Sequence, residues 1–302
     1  MYNFFSPDEA ELSAVIYETL ETCDKVKSIQ VIQTGWTNIT MDVEGENQSY
    51  IFRFPRNLFF AKMMIKDCVF CQLLRDKVSI PIPDMQLKVN KNRPFSMHRK
   101  IKGVSLLSQM DTIKPSDLDA IVSDLALFLS QLHALSLDIM KDDMKENLAD
   151  FLDNLASVHQ GDYDFTYHDP LRQMESSLLN LRIVHGDFHP GNVLIQDGRV
   201  SGIIDFAFAS ISDKHSDLGR FWGRSNPVLG QALVEAYQYQ TKTVCDLTKV
   251  HAVADVFKYV EYKYVHYMQA FHPEIKIPLS VLEASVREGE RLKQKENMTI
   301  IQ

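Results

Sequence analysis

Four cysteines in 302 residues are too few to staple a disulfide scaffold, so the fold has to rest on an apolar core. The spacing Cys68-Val69-Phe70-Cys71 invites a zinc or redox reading, but it lies inside a predicted helix with no second such pair and no flanking histidine. Two buried thiols are the expectation there. No run approaches the ~18 apolar residues of a membrane span. Residues Met1 to Glu9 lack the basic and apolar regions of a secretory leader, which points to a soluble cytoplasmic protein without membrane contact. Internal repeats and low-complexity tracts are absent as well. A positive excess is also missing: Lys and Arg number 32 against 40 Asp and Glu, a net charge of -8. That balance disfavours a nucleic-acid surface; it favours attraction of a polycation, and ordinary solubility accounts for it equally well.

What the chain does have is enough apolar residue, 45% of the total, for a large core, and a length that suits two lobes around a shared cleft. Ser6-Pro7-Asp8-Glu9 carries the N-cap, the N1 proline and the N3 carboxylate of a helix predicted to run to about Cys23. Residues 26–34, 37–43 and 48–54, rich in Val, Ile, Thr and aromatics, read as an antiparallel meander. A helix over 58–77 and strands over 84–90 and 95–101 complete a five-stranded N-terminal lobe, residues 1–100. From about 101 to 302 the pattern is helical: Leu118, Ile121, Val122, Leu125, Phe128, Leu129 and Leu132 recur at three- and four-residue steps. Further helices are predicted over 145–158, 167–181, 216–223, 227–239, 247–270 and 278–295.

The chemistry concentrates in His185-Gly186-Asp187-Phe188-His189-Pro190-Gly191-Asn192 and in Ile203-Ile204-Asp205-Phe206. Phosphoryl transfer asks for hard oxygen ligands to Mg2+ and for one carboxylate that orients the attacking hydroxyl. Asp187 and Asn192 stand five apart, the kinase catalytic-loop spacing in which the Asp takes the substrate proton and the Asn holds a metal. Val193 to Ile204 reads as two apolar strands around an Asp197-Gly198 turn, a hairpin that brings Asp205 back beside Asn192 as the second metal ligand.

These motifs resemble the aminoglycoside phosphotransferase and choline kinase-like family, whose loop reads HGDxxxxN and whose metal strand reads IDF. The likeness spans about residues 30 to 225 and includes Ile51-Phe52-Arg53-Phe54-Pro55, Ile80-Pro81-Ile82-Pro83, Lys100-Ile101-Lys102-Gly103 and Leu132-His133. Gly202 to Phe206 and Ile211-Ser212-Asp213 are most similar to the 2''-aminoglycoside phosphotransferases. The resemblance implies an α+β, bilobal, protein-kinase-like fold. It also implies a Mg2+-dependent transfer of the γ-phosphoryl of ATP or GTP to a hydroxyl of a small, cationic acceptor, an aminoglycoside first of all, by a monomer or homodimer.

Site residues follow by the same resemblance. Arg53 takes the place of the usual phosphate-binding Lys, and its partner on the helix 58–77 is Asp67 where the family has Glu. Gln33-Thr34-Gly35-Trp36-Thr37-Asn38 stands where the phosphate-covering loop lies, with Thr37 as a nucleotide contact, and the segment around Arg99 and Ile101 offers backbone groups to the purine. His185 organises the catalytic loop and Asp217 braces it, while His189 stays unassigned. Asp153, Trp222 and Glu261, with Asp162 and Asp164, are the acceptor-side candidates. Two departures flank the metal ligand: Ala207 follows Asp205-Phe206 where the family has Gly, a restriction if φ is positive there, and Lys214 follows Asp213 where it has Pro. A macrolide kinase, which fits Arg53, a kinase of choline, homoserine or a thio-sugar, and a nucleotide-binding pseudokinase are the rival readings.

Overall fold

A computed structural model describes residues 8–32, 37–141, 145 and 181–271. Predicted elements within 145–180 and 278–295, and the loop 33–36, lie outside the described residues. Strands β1 (Val26–Ile32), β2 (Asn38–Gly45), β3 (Ser49–Pro55), β4 (Gln86–Asn90) and β5 (Arg93–Arg99) form one antiparallel sheet in the order β1-β2-β3-β5-β4. Alternation sets its faces: in β3, Tyr50, Phe52 and Phe54 turn inward while Ile51 and Arg53 face the other way, so the sheet's second face carries a charge into the cleft. Helix α1 (Glu9–Leu20) covers the inner face with Leu12, Ile16 and Leu20, which join Met41, Val43, Phe52, Phe95 and Met97 in one core. That helix is capped by Asp8, whose side chain accepts from Ala10 N, two residues later than the predicted Ser6 cap.

Helix α2 (Leu58–Leu74), started by Asn57 through its side-chain bond from Phe60 N, has apolar residues nearly all round. The reason is its position, for Cys68, Phe70, Cys71 and Leu74 pack in the same core as the helices of the second half. There α3 (Pro115–His133), α4 (Lys214–Arg224), α5 (Pro227–Thr241) and α6 (Leu247–Phe271) surround two small sheets. One is β6 (Val104–Ser105), β8 (Val193–Gln196) and β9 (Arg199–Ile203); the other pairs β7 (Leu181–Val184) with β10 (Ser210–Asp213). The predicted helix over 167–181 therefore yields to a strand at Leu181, because a four-residue strand whose partner lies some thirty residues away leaves no local periodicity. No described helix is long and apolar enough to cross a membrane.

The cleft floor rests on stacked aromatics. Phe206, after β9, lies 5.8 Å from Phe70 of α2 and 6.3 Å from Phe128 of α3, ring to ring; Phe128 in turn stacks on Phe188 at 6.0 Å, and Phe188 on Phe221 of α4 at 5.5 Å. All five rings are fully buried. Each packs beneath a loop that carries a functional side chain, so core volume sets the site geometry. Phe128 does not line the cleft, and Phe128→Ala is expected to lower stability by about 3 to 5 kcal/mol in urea unfolding; a loss under about 1 kcal/mol would show that the rings do not carry the floor.

Candidate active site

Between sheet and helices lies a cleft of about 540 Å3 whose lining includes Arg53, Asp187, Asn192 and Asp205. Asp187 sits in the loop after β7 and is placed by backbone bonds to a buried acid: Asp217 of α4 accepts from His185 N at 2.9 Å and from Gly186 N at 3.0 Å. Its Oδ2 is also bonded at 3.0 Å to His133 Nε2, whose ring continues to the Tyr237 hydroxyl at 2.9 Å. Gly186 has φ +77°, and a Cβ there would collide with the Phe208 carbonyl, so this turn requires glycine. His185 accepts from Asp187 N at Nδ1 (3.2 Å) and therefore donates from Nε2 to the Ile204 carbonyl at 3.1 Å, tying the loop to the strand that leads to Asp205. Asp217 and His185 thus both hydrogen-bond the backbone of the loop that carries Asp187.

The hairpin turns on Asp197 and Gly198, at φ 52° and 73°, the left-handed pair of a tight turn. Ile204 N donates to the Asn192 carbonyl at 3.0 Å, which sets Asn192 and Asp205 side by side. Asn192 turns its amide nitrogen to Asp187, 2.9 Å from the carbonyl and 3.2 Å from Oδ2, leaving the amide oxygen for a cation. Asp205 itself holds φ 69°, so the unusual backbone lies at the carboxylate and not at Ala207, and the expected restriction by Ala207 does not arise.

Arg53 pairs with Asp67, both side chains buried, and reaches Asp205 Oδ1 at 3.7 Å. Asp67 also accepts from Phe206 N at 3.0 Å through its other oxygen. Burial alone would weaken the charge on Arg53, but Asp67 and Asp205 hold the guanidinium more firmly protonated than usual. At Asp205, burial, with Asp67 and Asp187 adding to it, pushes the carboxyl up to about 6 against the pull of Arg53. At Asp187, burial pushes the same way, but Arg220, with His189 behind it, holds the carboxyl well below the usual range.

Asp205, with its carboxyl raised, stands beside Asn192 in the cleft, and this pair of oxygen donors fits a divalent cation. Asp205 and the Asn192 oxygen would hold it. Among the described residues no three His, Cys, Asp or Glu side chains form a closed metal cluster. Cys68 and Cys71 are buried free thiols in α2.

Thr37 and Ile101 line the cleft, Thr37 accepting from Asn38 Nδ2 at 2.9 Å. Arg99 is exposed at the end of β5 and does not line it; His98, Lys100 and Ile101 do. Glu261 of α6 lines the cleft and pairs with Arg224. Trp222 does not line the cleft: its ring packs on His251 at 4.7 Å, between α4 and α6. Asp153, Asp162 and Asp164 lie outside the described residues. Sequence reasoning passed over Arg220 and Arg224 and left His189 unassigned, and all three line the cleft. Arg220 stands one turn beyond Asp217 and Arg224 another turn on, a helical face that could have been read from the spacing alone.

A model of the phosphotransferase enzyme family matches residues 28–247. Among curated proteins the chain is similar to a probable aminoglycoside 3'-phosphotransferase of Lactococcus lactis, 24% identical over 144 residues, 44% of this chain and 53% of that protein. The chain therefore spans about half the length of that relative. Among solved structures, the GDP complex of aminoglycoside 2'-phosphotransferase-IIIa superposes with a TM-score of 0.71 at 18% identity, over 96% of this chain and all of that one. A macrolide 2'-phosphotransferase from Brachybacterium faecium gives 0.62 at 14% identity, over 92% of this chain and 97% of that one. Both carry the same fold.

The raised carboxyl of Asp205 has a consequence for the empty protein. A group whose pKa moves from 3.8 to about 6 on folding favours the fold fully below 3.8 and loses that contribution as pH rises through 6. Since the side chain is 40% exposed to the cleft, water screens much of the effect. Asp205→Asn is expected to raise stability without nucleotide at pH 7.5 by about 1 kcal/mol, roughly 2 °C in Tm, a gain that narrows by pH 5. A melting scan showing no gain at pH 7.5 would mean that Asp205 is not electrostatically strained.

Proposed function

Because the chain belongs to the phosphotransferase enzyme family, we propose that it moves the γ-phosphoryl of ATP or GTP to a hydroxyl of a small molecule, with an aminoglycoside as the first acceptor class. The single observation that carries this is the meeting of Asp187, Asn192 and Asp205 in one cleft, with Arg53 behind them. Arg53, held by Asp67, faces the nucleotide phosphates, and Thr37 and the Lys100-Ile101 backbone border the same end of the cavity. A Mg2+ ion held by Asp205 and the Asn192 amide oxygen would supply the charge neutralisation that the phosphates need.

Asp187 orients the acceptor hydroxyl and takes its proton. Its Oδ1 is occupied by Arg220, so Oδ2, bonded once to Asn192 at 3.2 Å, is the oxygen with room for a hydroxyl. A carboxylate held so acidic is a weak base, and a loose transition state asks little of it before the proton moves; its task is orientation first. His189 flanks that same oxygen. Its Nδ1 accepts from Gly191 N at 3.0 Å, so the neutral ring directs Nε2–H toward Asp187 Oδ2, 3.6 Å away. Burial lowers the pKa of this imidazole against the pull of Asp187, so it serves as a neutral donor.

The aminoglycoside reading draws support from the acid surplus of the chain and from its likeness to a probable aminoglycoside 3'-phosphotransferase. A macrolide acceptor is the second reading. It is favoured by one feature: among the described residues, Asp187 and Glu261, the acids facing the acceptor side, are both paired with arginines, which leaves little open carboxylate for several amines. Purified protein with Mg2+ and ATP or GTP, assayed against aminoglycosides, macrolides, choline and homoserine, is expected to release nucleoside diphosphate in an acceptor-dependent way. Asp187→Ala should cut that turnover by on the order of 10³-fold or more while the melting curve stays cooperative. A variant that kept wild-type turnover would remove Asp187 from the role given to it.

A further inference from the structure

Arg220 makes an unusual contact. Nε donates to Asp187 Oδ1 at 2.8 Å and Nη2 donates to the same oxygen, so one edge of the guanidinium is spent on a single acceptor atom. Its planar group lies over the Phe257 ring of α6, 4.7 Å from the centroid, which fixes its tilt and shields one face. The side chain is 13% exposed and lines the cleft. Among the described residues Nη1 has no hydrogen-bond partner, and it is not among the buried polar atoms sealed from solvent. The free edge of this buried cation therefore opens on the cleft, beside the carboxylate that orients the acceptor. Arg53 is taken up by Asp67 and Asp205, and Arg224 by Glu261.

We propose that Arg220 is a catalytic residue of the transfer itself, staying on Asp187 through its Nε edge and placing Nη1 on the equatorial oxygens of the phosphoryl group in flight. The proposal rests on the phosphotransferase reading above. In the step, a bond forms between the acceptor oxygen and the γ-phosphorus, and the bond from phosphorus to the bridging oxygen breaks. That oxygen keeps the electron pair and departs with the nucleoside diphosphate, while the hydroxyl proton passes to Asp187 Oδ2. Arg220 neither gains nor loses a proton. Charge spreads over the three equatorial oxygens as the metaphosphate-like state forms, and a donor fixed there beforehand is worth more in that state than in the bound substrate. A lysine in this place could reach Asp187 or the phosphoryl group but could not span both, which is the use of a planar fork.

The alternative is that Arg220 acts only through Asp187, by positioning it. The two are separated by a probe that contains no acceptor: MgGDP or MgADP with aluminium fluoride, a mimic of the phosphoryl group in transfer, titrated by calorimetry into the full chain, wild type, Arg220→Met and Arg220→Lys. Wild type is expected to bind the diphosphate at least about tenfold more tightly with fluoroaluminate. Arg220→Met should lose that gain and Arg220→Lys most of it, with affinity for the diphosphate alone within about twofold; turnover should fall on the order of 10²–10³-fold with KM little changed.

Retention of the fluoroaluminate gain in Arg220→Met overturns the proposal whatever happens to turnover, as does a wild type that shows no gain with either nucleotide. If circular dichroism shows Arg220→Met to be unfolded, Arg220→Lys decides by the same criterion. A wild type that traps fluoroaluminate through Arg220 but phosphorylates none of kanamycin, erythromycin, choline or homoserine supports the role of Arg220 and counts against those acceptors. Turnover with one of them beside a retained gain in Arg220→Met does the reverse.

Discussion

A buried carboxylate has to be compensated, and Asp67, fully buried in α2, is compensated from both sides of the cleft: Arg53 on β3 and the amide of Phe206 after β9. One side chain thus ties the sheet, the helix beneath it and the strand end that carries Asp205. Removing either partner would leave a charge in the core, so the three elements hold register through electrostatics where the aromatic stack alone would allow sliding. The shortness of Asp suits this double duty, since its carboxylate stays close to α2 and within reach of a backbone amide, while the long Arg covers the remaining distance.

Asp217 repeats the arrangement in the helical half. It too is fully buried, and it accepts from two successive loop amides and from His133. The loop that carries Asp187 is held by its backbone, so Asp187 and Asn192 both line the cleft. Placing the anchor on a helix gives the site the stiffness of that helix. It also puts the next turn of the same helix, Arg220, against the carboxylate being positioned.

Much of this was legible in the sequence, and the reasons differ by element. The hairpin from Val193 to Ile203 was readable because two short apolar strands flank an Asp-Gly pair that takes positive φ. The partnership of Arg53 and Asp67 was readable only through resemblance, since fourteen residues separate them and nothing local links a strand to the following helix. The start of α1 was misplaced because Ser6 and Asp8 are both good caps, and only geometry chooses between them. Trp222 was given to the acceptor side because it follows the Asp217 helix, but a helix turns 100° per residue, and the face that carries Asp217, Arg220 and Arg224 leaves Trp222 pointing to α6. The same rotation, applied forward from Asp217, reaches Arg220. Arg99 shows the limit of reading a contact from a strand end: its neighbours His98 and Lys100 line the cleft and it does not.

The two carboxylates of the site are chemically alike and their surroundings drive them apart. Both are penalised by burial, yet Asp187 is held acidic by a guanidinium seated on it, whereas Asp205 shares its nearest guanidinium with Asp67 and remains 3.7 Å from it. The difference assigns roles. A carboxylate already matched to a fixed cation stays ionised and keeps one geometry, which suits the orienting role proposed for Asp187. A carboxylate left short of positive charge, on a left-handed backbone, would gain from a cation, which suits the metal role proposed for Asp205. On the proposed function, the permanent charge beside Asp187 is that of Arg220, while Asp205 is left with a guanidinium that Asp67 already holds.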